Sequence, residues 1–535
     1  MYWKKGVIFL FLVGFFVNIC YSVIVKAETI STRMEIRVGL TSMYSGKTSI
    51  TVYNDRLGYG YCMGNTYVQE VVLISTNGFT FTPVNGYVVR EATVYRSYRE
   101  AKQVADTYAE CGIKAYVGST YQNRWRVYFG TASDTLEAER LVATIKEQEK
   151  KSSLEILEEN NYRVLVEGSF GAIFIDVDEQ YAYPQFRPLT TYKNGVKCID
   201  MDSRVYRGRI EIGRYGKTTL TAVNILPIEE YLYSVVPSEM PSTWHEEALK
   251  AQAVCSRSYA LIKAGYGGAS NAKKGYKIVD TVSSQVYKGF LAESVKIRQV
   301  VKETKGQMVY YNNKVIPTYF FATSGGSTES SKDVWTVSQP YLQSVSDFYE
   351  GNAFRVSWQV TMTKNTVASL LSEQGIKIGS LLDLSPITYS ATGRINSLQV
   401  TDSNRFLTLQ GTTVRTVLNL YSTKFKIVKK GEIPDAVSVI SANGVSDGRI
   451  SEMYIISASG VEKASEKLEQ YIVQSDSNLW NYPRLAPTES TELLFAGMGY
   501  GHGVGMSQYG AKGMAEAGFT YKEIIEYYFT GAVVR

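Results

Sequence analysis

The most distinctive stretch of the chain lies near its C-terminal end, where glycine occupies every second position from 497 to 505. It reads Gly497-Met498-Gly499-Tyr500-Gly501-His502-Gly503-Val504-Gly505-Met506-Ser507-Gln508-Tyr509-Gly510. Glycine loses the most chain entropy on folding and adds no side chain to a core, so such a run is typical of a backbone that approaches a ligand closely. A glycine-rich corner of a β-structure is the alternative. Because polar residues share the stretch, among them one of the chain's two histidines, we interpret it as a binding site.

A second stretch predicts an amphipathic helix. Thr243 and Glu246 have the spacing of a capping box, so the helix is expected to begin near Trp244. Helical spacing then places one buried stripe along it, made of Trp244, Ala248, Ala251, Cys255, Tyr259 and Ile262. Cys255 belongs to this stripe and has no activating partner, so we expect a core residue and not a reactive thiol.

Glu239 is the acid that stands out ahead of this helix. It is expected in an irregular stretch between Pro237 and Pro241. One interpretation is that it helps the helix to start, since negative charge is favourable near a helix N-terminus. The other is a proton donor, which requires burial so that the neutral form persists. The residues alone leave both roles open.

Other catalytic patterns are incomplete. His245 starts like the helix of a zinc protease, but the position four residues later is Leu249 and the second ligand is missing. Ser507 lacks the glycine spacing of a nucleophile elbow. The cysteines are scattered without a paired spacing, so neither a disulfide framework nor a zinc knuckle is indicated. We therefore expect no metal and no cofactor.

The N-terminus predicts export. Lys4 and Lys5 precede an apolar run to Val25, and small residues end at Ala27 with the spacing of a cleavage site. Residues 1–27 are thus a signal peptide, with an uncleaved membrane anchor as the alternative, and the rest of the chain faces the outside of the cell. The net charge of +6 includes the lysines of this segment, so the remaining chain is only weakly basic. That charge suits anionic wall polymers and is not evidence for nucleic acid.

Two segments precede the main body. Residues 28–85 alternate apolar and polar side chains and predict several short strands without a readable function. Residues 86–150 predict alternating elements, with strands at Tyr87–Val89, Lys114–Val117 and Trp125–Tyr128 and helices at Tyr98–Cys111 and Thr135–Ile145. A last strand would close a small βαββαβ module, and a charged linker is expected over residues 147–160.

The 86–150 module resembles the sporulation-related repeat, or SPOR domain. The resemblance is carried by Tyr98-Arg99-Glu100-Ala101 at the first helix and by Trp125-Arg126-Val127-Tyr128-Phe129-Gly130 in the central strand. SPOR domains bind peptidoglycan glycan strands that have lost their peptides, so the resemblance implies a glycan anchor. A purely structural spacer is the alternative, because many small α/β modules share this outline.

Residues 162–535 resemble the family of stage II sporulation protein D and LytB. The motifs follow the family's order: Pro237-Ser238-Glu239-Met240-Pro241, Ala251-Gln252-Ala253-Val254 with Arg257 and Tyr259, Ser284-Gln285-Val286-Tyr287-Lys288-Gly289, Thr323-Ser324-Gly325-Gly326-Ser327-Thr328, Val334-Trp335, Pro340-Tyr341-Leu342 and the glycine-rich stretch. Residues 432–492 match poorly and are a divergent or inserted segment. The resemblance implies an α+β fold, with a β-rich catalytic body and helices beside an active-site groove.

The resemblance also implies an activity, that of a peptidoglycan lytic transglycosylase. Such enzymes cut the MurNAc–GlcNAc β-1,4 bond without water and leave a 1,6-anhydro-MurNAc end. The acid of the Glu-Met-Pro motif is catalytic in the family, and Glu239 matches it. The implied substrate-binding residues are Gln252, Arg257, Gln285, Tyr287, Ser324, Gly325, His502, Ser507, Gln508 and Tyr509. Some members carry a Cys/His-rich zinc insertion after the Arg-x-Tyr helix, but residues 264–274 hold neither residue type, so no zinc is expected.

The LytB side of the family leaves a second class open. There the protein would bind the wall without catalysis and stimulate an N-acetylmuramoyl-L-alanine amidase, its partner. Glu239 favours the enzyme, because a pure binder has no need for an acid there. The enzyme further predicts that Glu239 and His502 open into one groove near Gln285 and Gly325.

The chain end predicts two short helices. The first, over residues 512–517, is expected to stop at Gly518. The second is expected from about Tyr521 to Phe529 and begins with a capping box of Thr520 and Glu523.

Overall fold

A computed structural model describes most of the chain after residue 34. The described residues are 35–63, 66–120, 124–148, 153–177, 183–192, 195–215, 218–265, 275–335, 337–351, 353, 356–428, 436–441, 444–449, 454–457, 460–463, 471–475, 478–482 and 491–535, with the backbone alone between 436 and 482. They fall into two compact units. The first unit runs to Thr243 and continues from Ser256 to Met308, and the second combines Trp244–Cys255 with Val309–Arg535.

The first unit is rich in strands. They are β1 (Glu35–Gly39), β2 (Ser45–Lys47), β3 (Ile50–Val52), β4 (Arg56–Met63), β5 (Thr66–Ile74), β6 (Phe79–Pro83), β7 (Tyr87–Glu91), β8 (Tyr116–Ser119), β9 (Trp125–Ala132), β10 (Leu154–Leu157), β11 (Arg163–Gly168), β12 (Gly171–Asp176), β13 (Gln185–Pro188), β14 (Ile199–Asp200), β15 (Val205–Tyr206), β16 (Arg209–Gly213), β17 (Leu220–Pro227) and β18 (Ile278–Val279). Its helices are α1 (Tyr98–Glu110), α2 (Thr135–Gln148), α3 (Ile228–Glu239), the second half of α4 (Glu246–Ala264) and α5 (Val295–Glu303), with a 3₁₀ turn at Phe290–Ala292.

Two large sheets form the body of the first unit. One has the order β18-β1-β17-β16-β13-β4-β5, with β2 also paired to β17, and the other has the order β10-β7-β9-β8-β12-β11-β6-β3. They meet in an apolar core, where the ring of Phe81 on β6 lies 4.7 Å from that of Phe186 on β13. Residues 28–85 supply strands to both sheets, which confirms the short strands predicted over their described part.

The predicted order of elements over residues 86–150 is confirmed. Strands β7, β9 and β8 pair in one sheet, α1 and α2 cover Val127 and Phe129 on its face, and β10 closes the βαββαβ pattern by pairing with β7. Part of the expected charged linker is therefore strand β10. The sheet also continues through a parallel pairing of β8 with β12. The likeness to a SPOR domain and its boundary at 150 stay predictions.

The second unit combines short sheets with short helices. Its strands are β19 (Val309–Tyr311), β20 (Lys314–Val315), β21 (Phe320–Phe321), β22 (Ser357–Thr363), β23 (Leu381–Tyr389), β24 (Ile395–Asp402), β25 (Phe406–Gln410), β26 (Phe425–Val428), β27 (Ala436–Ser441), β28 (Gly444–Arg449), β29 (Tyr454–Ser457), β30 (Gly460–Lys463), β31 (Tyr471–Ser475), β32 (Asn478–Tyr482), β33 (Glu492–Met498), β34 (Met506–Ser507) and β35 (Val533–Val534). Its helices are the first half of α4, α6 (Ser331–Trp335), α7 (Lys364–Glu373), α8 (Gly411–Val417), α9 (Gln508–Glu516) and α10 (Tyr521–Tyr528), with a 3₁₀ turn at Phe348–Glu350.

The strands of the second unit pair mostly with near neighbours. Three-stranded sheets have the orders β20-β19-β35, β22-β33-β26 and β23-β24-β25, and β21 pairs with β34. Residues 432–492, expected to diverge, contain three hairpins made by β27 to β32. The mixture of strands and helices in both units is the predicted α+β class.

The two C-terminal helices are confirmed. Helix α9 ends before Gly518, which takes a φ of 95°. Helix α10 begins with the predicted capping box, because the Thr520 side chain accepts from the amide of Glu523 and the Glu523 side chain accepts from the amide of Thr520.

Helix α4 departs from its predicted start and its predicted stripe. It begins at Glu246, and the amide of Glu247 donates to Nδ1 of His245, so the histidine ring and not Thr243 caps this end. The stripe includes buried Cys255 as expected, and desolvation raises the pKa of that thiol. Residues 251–258, however, are buried on every face, which brings polar side chains into the interior.

The export signal lies outside the described residues, since these begin at Glu35. Among the helices that are described, none combines the length and the apolar character needed to cross a membrane.

Candidate functional site

Glu239 ends helix α3, which corrects the expected irregular stretch. Pro237 lies inside the last turn, and the helix closes through a bond of 2.9 Å from the amide of Met240 to the carbonyl of Val236. The carboxyl thus sits at a helix C-terminus, whose partial negative charge disfavours a carboxylate. A helix-start role for Glu239 is therefore wrong, and this surrounding favours its neutral form more than the expected position did.

The carboxyl of Glu239 is held by the backbone of a neighbouring loop. The amide of Val286 donates to its Oε1 at 2.7 Å, and the side chain remains half-buried. The same loop is tied to α3 by the amide of Lys288, which donates to Oγ of Ser234 at 3.1 Å. The predicted motif of residues 284–289 therefore fixes one oxygen of the candidate acid.

Gln285 and Tyr287 support this loop from within the first unit. Gln285 is buried, accepts from the Tyr231 hydroxyl at 3.1 Å and donates to the carbonyl of Ser256 at 3.3 Å. Tyr287 is also buried, and its hydroxyl donates to Oδ1 of Asn224 at 2.6 Å. The hydrogen bonds of both residues are typical of side chains that stabilise the fold. Their sugar-binding roles stay predictions.

Arg257 has a structural environment as well. It is 1% exposed, and its guanidinium forms a two-pronged ion pair with Glu229 through bonds of 3.0 and 2.7 Å. Its Nη1 donates to the carbonyl of Gln307 at 3.0 Å. The guanidinium thereby joins the first turn of α3 to the segment that follows α5. A direct contact of Arg257 with sugar stays a prediction, which this burial does not favour.

The sheet face of the 86–150 module that lies opposite its helices is partly covered. Tyr128 is fully buried there, stacked on Phe174 of β12 at 4.9 Å, and its hydroxyl donates to Asp176 at 2.9 Å. Beside this covered centre, the half-buried side chains of Tyr116 and Arg126 remain accessible. A glycan that binds this face would have to use its uncovered part.

In the second unit, His502 stands among aromatic rings. We call His502, Tyr319, Phe321 and Trp335 the His502 cluster, whose other rings lie 5.3 to 6.3 Å from the imidazole. The half-buried imidazole accepts at Nδ1 from the amide of Val504 at 3.1 Å. Desolvation, followed by the charges of Arg415 and Arg394, lowers the pKa of His502 to about 3. The imidazole is thus neutral and serves as a hydrogen-bonding group beside aromatic faces.

Other parts of the protein occupy the space that side chains at the glycines around His502 would need. A Cβ atom on Gly503 would lie 2.6 Å from Cζ of Arg394, and one on Gly505 would lie 2.3 Å from the carbonyl oxygen of Tyr319. Both glycines have positive φ values, 87° and 83°. The close approach inferred from the sequence is therefore real, but its described partners are Arg394 and backbone.

Ser324, Gly325 and Ser507 converge on Glu350, which the sequence did not single out. Its carboxylate accepts from the amides of Ser324 and Gly325, the latter at 2.9 Å, and from Oγ of Ser507 at 2.6 Å. Ser507 also caps α9 by accepting from the amide of Gly510. Glu350 therefore clamps two predicted site segments together.

A second acid, Asp347, lies beside this clamp. It is 2% exposed, accepts from the Tyr528 hydroxyl at 2.9 Å and is raised in pKa to about 8, first by burial and then by the charge of Glu350. Asp347 and Glu350 are two ordinary acids three residues apart in sequence, and no local pattern distinguishes them from surface residues. Only the folded chain shows that they form a buried pair.

The remaining predicted residues of the second unit form a second polar and aromatic group. Nε2 of Gln508 donates to Oε1 of Gln252 at 3.3 Å, and both side chains are buried. Tyr509 meets Trp244 edge to face at 4.7 Å, and the ammonium of Lys512 lies 5.6 Å from the Trp244 ring centre. We call Trp244, Tyr509 and Lys512 the Trp244 cluster. Its tryptophan was predicted only as a core residue.

The predicted residues therefore gather in two places. Glu239, Gln285, Tyr287 and Arg257 belong to the first unit, and the others belong to the second. A groove shared by Glu239 and His502 stays a prediction. Within the described residues, no group of three or more His, Cys, Asp or Glu has the arrangement of a metal site.

Comparison with known proteins finds similarity to one family. The family model described as "Stage II sporulation protein" matches residues 216–311, which include Glu239 and the loop that holds it. Related proteins extend the match: "Stage II sporulation protein D" of Bacillus subtilis (strain 168) is 29% identical over 329 residues. Over these residues the chain is similar to the stage II sporulation protein D family.

Two kinds of relative are found within these matches. The sporulation protein of Bacillus subtilis aligns with 59% of this chain and 77% of its own length. An "Amidase enhancer" of the same organism is 30% identical over 328 residues, which cover 57% of this chain. That alignment spans only 40% of the amidase enhancer. "Stage II sporulation protein D" of Bacillus amyloliquefaciens is 28% identical over 59% of this chain.

Proposed function

We propose that this protein is a peptidoglycan lytic transglycosylase whose acid is Glu239. The observation that carries the proposal is the arrangement of that carboxyl, which is half-buried at the end of α3 with Oε1 bound by the amide of Val286. Because Oε1 accepts from this amide, the proton of the neutral acid is on Oε2. The second oxygen is then the one that can exchange a proton with a sugar.

One carboxyl suffices for the chemistry. The Oε2 proton moves to the oxygen that links MurNAc C1 to GlcNAc C4, and the C1–O bond breaks as positive charge develops on the MurNAc ring. The MurNAc 6-hydroxyl oxygen then bonds to C1, and its proton returns to the Glu239 carboxylate. The products are a GlcNAc 4-hydroxyl and a 1,6-anhydro-MurNAc end, and no water is consumed. Ordinary glycosidases differ, since they use a pair of carboxyls.

Sugar binding is proposed for the second unit. Aromatic side chains offer apolar faces together with polar groups, which suits the faces and hydroxyls of a glycan. The half-buried rings of the His502 cluster and of the Trp244 cluster provide such surfaces. Neutral His502 would exchange hydrogen bonds with sugar hydroxyls, and Gln508 with Gln252 would support the adjoining backbone.

The decisive experiment replaces the acid. Glu239→Gln keeps the size of the side chain and an oxygen for the Val286 amide but removes the transferable proton. With peptide-stripped glycan strands as substrate, mass spectrometry should show anhydro-MurNAc ends from the natural chain. The variant should lose about 10²- to 10⁴-fold in rate, the usual contribution of positioned acid–base catalysis.

A matched control separates this effect from a general loss of charge. Glu246→Gln changes an exposed glutamate at the start of α4 and should leave the rate unchanged. Glycan binding by Glu239→Gln should remain normal. If the natural chain releases no anhydro ends, or if both variants lose activity equally, the proposed function is wrong.

The amidase enhancer among the relatives favours one alternative, a wall-binding protein that stimulates an N-acetylmuramoyl-L-alanine amidase. The same variant distinguishes the two, because an enhancer needs no acid at position 239. Stimulation of an added amidase that survives Glu239→Gln, without anhydro products from the natural chain, would establish the alternative.

The other parts of the chain receive roles in the same proposal. Residues 1–27 would export the protein or anchor it in the membrane, residues 86–150 would retain it on stripped glycan, and residues 162–535 would carry the activity. The proposed partners are glycan strands and a cell-wall amidase, without nucleic acid, metal or cofactor. Because the sheet of residues 86–150 continues into β12, a deletion would disrupt the first unit, and Tyr116→Ala on the uncovered face tests the division instead: retention on glycan should weaken while turnover of short saturating oligosaccharides persists.

A further inference from the structure

A half-buried arginine of the second unit is fixed beside the glycine-rich stretch that contains His502. Arg415 lies in the last turn of α8, and its Nε donates to the carbonyl of Tyr421 at 3.3 Å. The same carbonyl accepts from the amide of Gly501 at 2.9 Å. One backbone oxygen therefore holds both the guanidinium and the residue that directly precedes His502.

An accessible aromatic ring belongs to the same place. Tyr500 is 37% exposed, and its ring meets that of Tyr421 edge to face at 5.6 Å. Burial is the main cause that lowers the pKa of His502, and the charge of Arg415 is the next largest. The guanidinium therefore lies close to an exposed tyrosine ring and within electrostatic reach of the His502 cluster.

The far end of the Arg415 guanidinium is available to a ligand. Its hydrogen bond to Tyr421 uses only Nε, and among the residues that the structure describes no carboxylate forms an ion pair with it. Nη1 and Nη2 present two parallel N–H donors, a geometry that matches the two oxygens of a carboxylate. A charge that is partly withdrawn from water without an opposite charge costs free energy, so an anionic ligand is favoured here.

A second guanidinium near His502 lacks this access. Arg394 is 1% exposed, and its Nη2 donates to the carbonyl of Ser324 at 2.9 Å. The backbone of Gly503 lies against it, since a Cβ atom there would be 2.6 Å from its Cζ. Arg394 therefore stabilises the glycine-rich stretch, whereas Arg415 is the guanidinium that a ligand can reach.

We propose that Arg415 binds the lactyl carboxylate of MurNAc and thereby selects glycan strands that have lost their peptides. The inference rests on the proposed function, because it names the chemical group by which that substrate is recognised. In an intact strand an amide joins the lactyl group to the peptide, and removal of the peptide leaves a carboxylate. The carboxylate pairs with both terminal nitrogens of Arg415, whereas the neutral amide offers a single oxygen. The Tyr500 ring offers an apolar surface to the same sugar.

The first test changes the substrate and leaves the protein unaltered. Stripped strands are compared with the same strands after conversion of their lactyl carboxylates to methylamides, with anhydro ends as the product measured. The natural chain should process the carboxylate strands with a kcat/KM about 10- to 100-fold higher, the usual effect of hydrogen bonds to a charged group. Equal values for the two substrates would overturn the inference.

The second test changes the arginine in the full chain. Arg415→Gln should lower kcat/KM about 10- to 100-fold on carboxylate strands and leave it nearly unchanged on methylamide strands, so the preference should disappear. Arg415→Lys keeps the charge without the two parallel donors and should restore part of the preference. Arg405→Gln, at an exposed arginine of the same unit, is the matched control and should keep the whole preference. Equal losses of Arg415→Gln on both substrates would indicate a structural role and overturn the inference.

Binding separates this inference from the proposed function. In Glu239→Gln, calorimetry with short carboxylate and methylamide oligosaccharides should show the same preference, and adding Arg415→Gln should remove it. A preference in binding that depends on Arg415, without anhydro ends from the natural chain, would remove only the proposed activity. Anhydro ends formed without any preference between the two substrates would instead overturn only the role of Arg415.

Discussion

Glu239 of the first unit is half-buried with a loop amide on Oε1, whereas Glu350 of the second unit is 7% exposed and accepts from three donors on two segments. A carboxyl at a helix end that solvent can reach is able to exchange a proton with a ligand. A carboxyl enclosed by amide and hydroxyl donors stabilises structure, because each donor would be left unsatisfied without it. The two glutamates thus differ in their surroundings and not in residue type, and this difference distinguishes the proposed acid from the clamp.

The largest expected effect comes from replacing glutamate by glutamine at each of the two positions, 350 and 239. Glu350→Gln should lower the free energy of unfolding by about 3 kcal/mol, because the new amide group faces a backbone donor that has lost its acceptor. Glu239→Gln should change it by less than about 0.5 kcal/mol while lowering turnover about 10²- to 10⁴-fold. Urea unfolding of the two variants measures this. Equal stability losses would contradict the division into acid and clamp.

The second expected effect is a pH dependence of stability that comes from Asp347, beside the clamp. The folded-state pKa of Asp347 is about 8, against an ordinary value of about 3.9, so the folded chain binds one more proton than the unfolded chain between these limits. The free energy of unfolding should therefore fall as the pH rises from about 4 to 8, at no more than about 1.4 kcal/mol per pH unit from this group.

Asp347→Asn sharpens that test. The amide remains neutral at every pH, so the variant should lose this part of the slope and gain stability relative to the natural chain at pH 8. Thermal or urea unfolding at pH 5 and pH 8 measures the change. A slope identical to that of the natural chain would show that Asp347 does not hold the proton.

The smallest effect is expected at His502. Its pKa of about 3 means that the folded chain binds no proton there at pH 5 to 8, so its imidazole resonances should not shift across that range. The stability linked to this histidine is complete above its unfolded pKa of about 6.5 and is lost as the pH falls towards 3. Nuclear magnetic resonance can follow the ring resonances of His502 across this range. A titration of His502 near pH 6 would show that desolvation does not lower the pKa of its imidazole.

Local patterns predicted the parts of the fold that local contacts determine. The capping box of α10 and the end of α9 at Gly518 involve residues within one helical turn, so their sequence spacing was sufficient. The capping box predicted for α4 was wrong because His245, one residue from the helix, provides the acceptor instead. A short-range rule fails when a neighbouring side chain competes for the same amide.

Sequence motifs identified candidate residues of the site but did not predict their positions in the fold. Glu239 was identified together with its flanking prolines, yet its place at a helix C-terminus reversed the expected effect of the helix dipole. Arg257 was assigned to sugar binding, although its ion pair with Glu229 spans 28 residues. Lys263 follows Tyr259 by one helical turn, so helical spacing alone is sufficient to predict that these two side chains meet.

By itself the sequence determined the α+β class and the described helices over residues 86–150 and 508–528, because short-range spacing and composition specify these. Its motifs also indicated the resemblance to the stage II sporulation protein D family, which implies the candidate acid. Only the tertiary structure decided that the chain forms two units, that strands from residues 28–85 enter both large sheets and that Glu350 joins Ser324 to Ser507. The bond from Ser507 to Glu350 spans 157 residues. Such partners are chosen by the packing of the whole chain, since no local preference of either residue specifies the other.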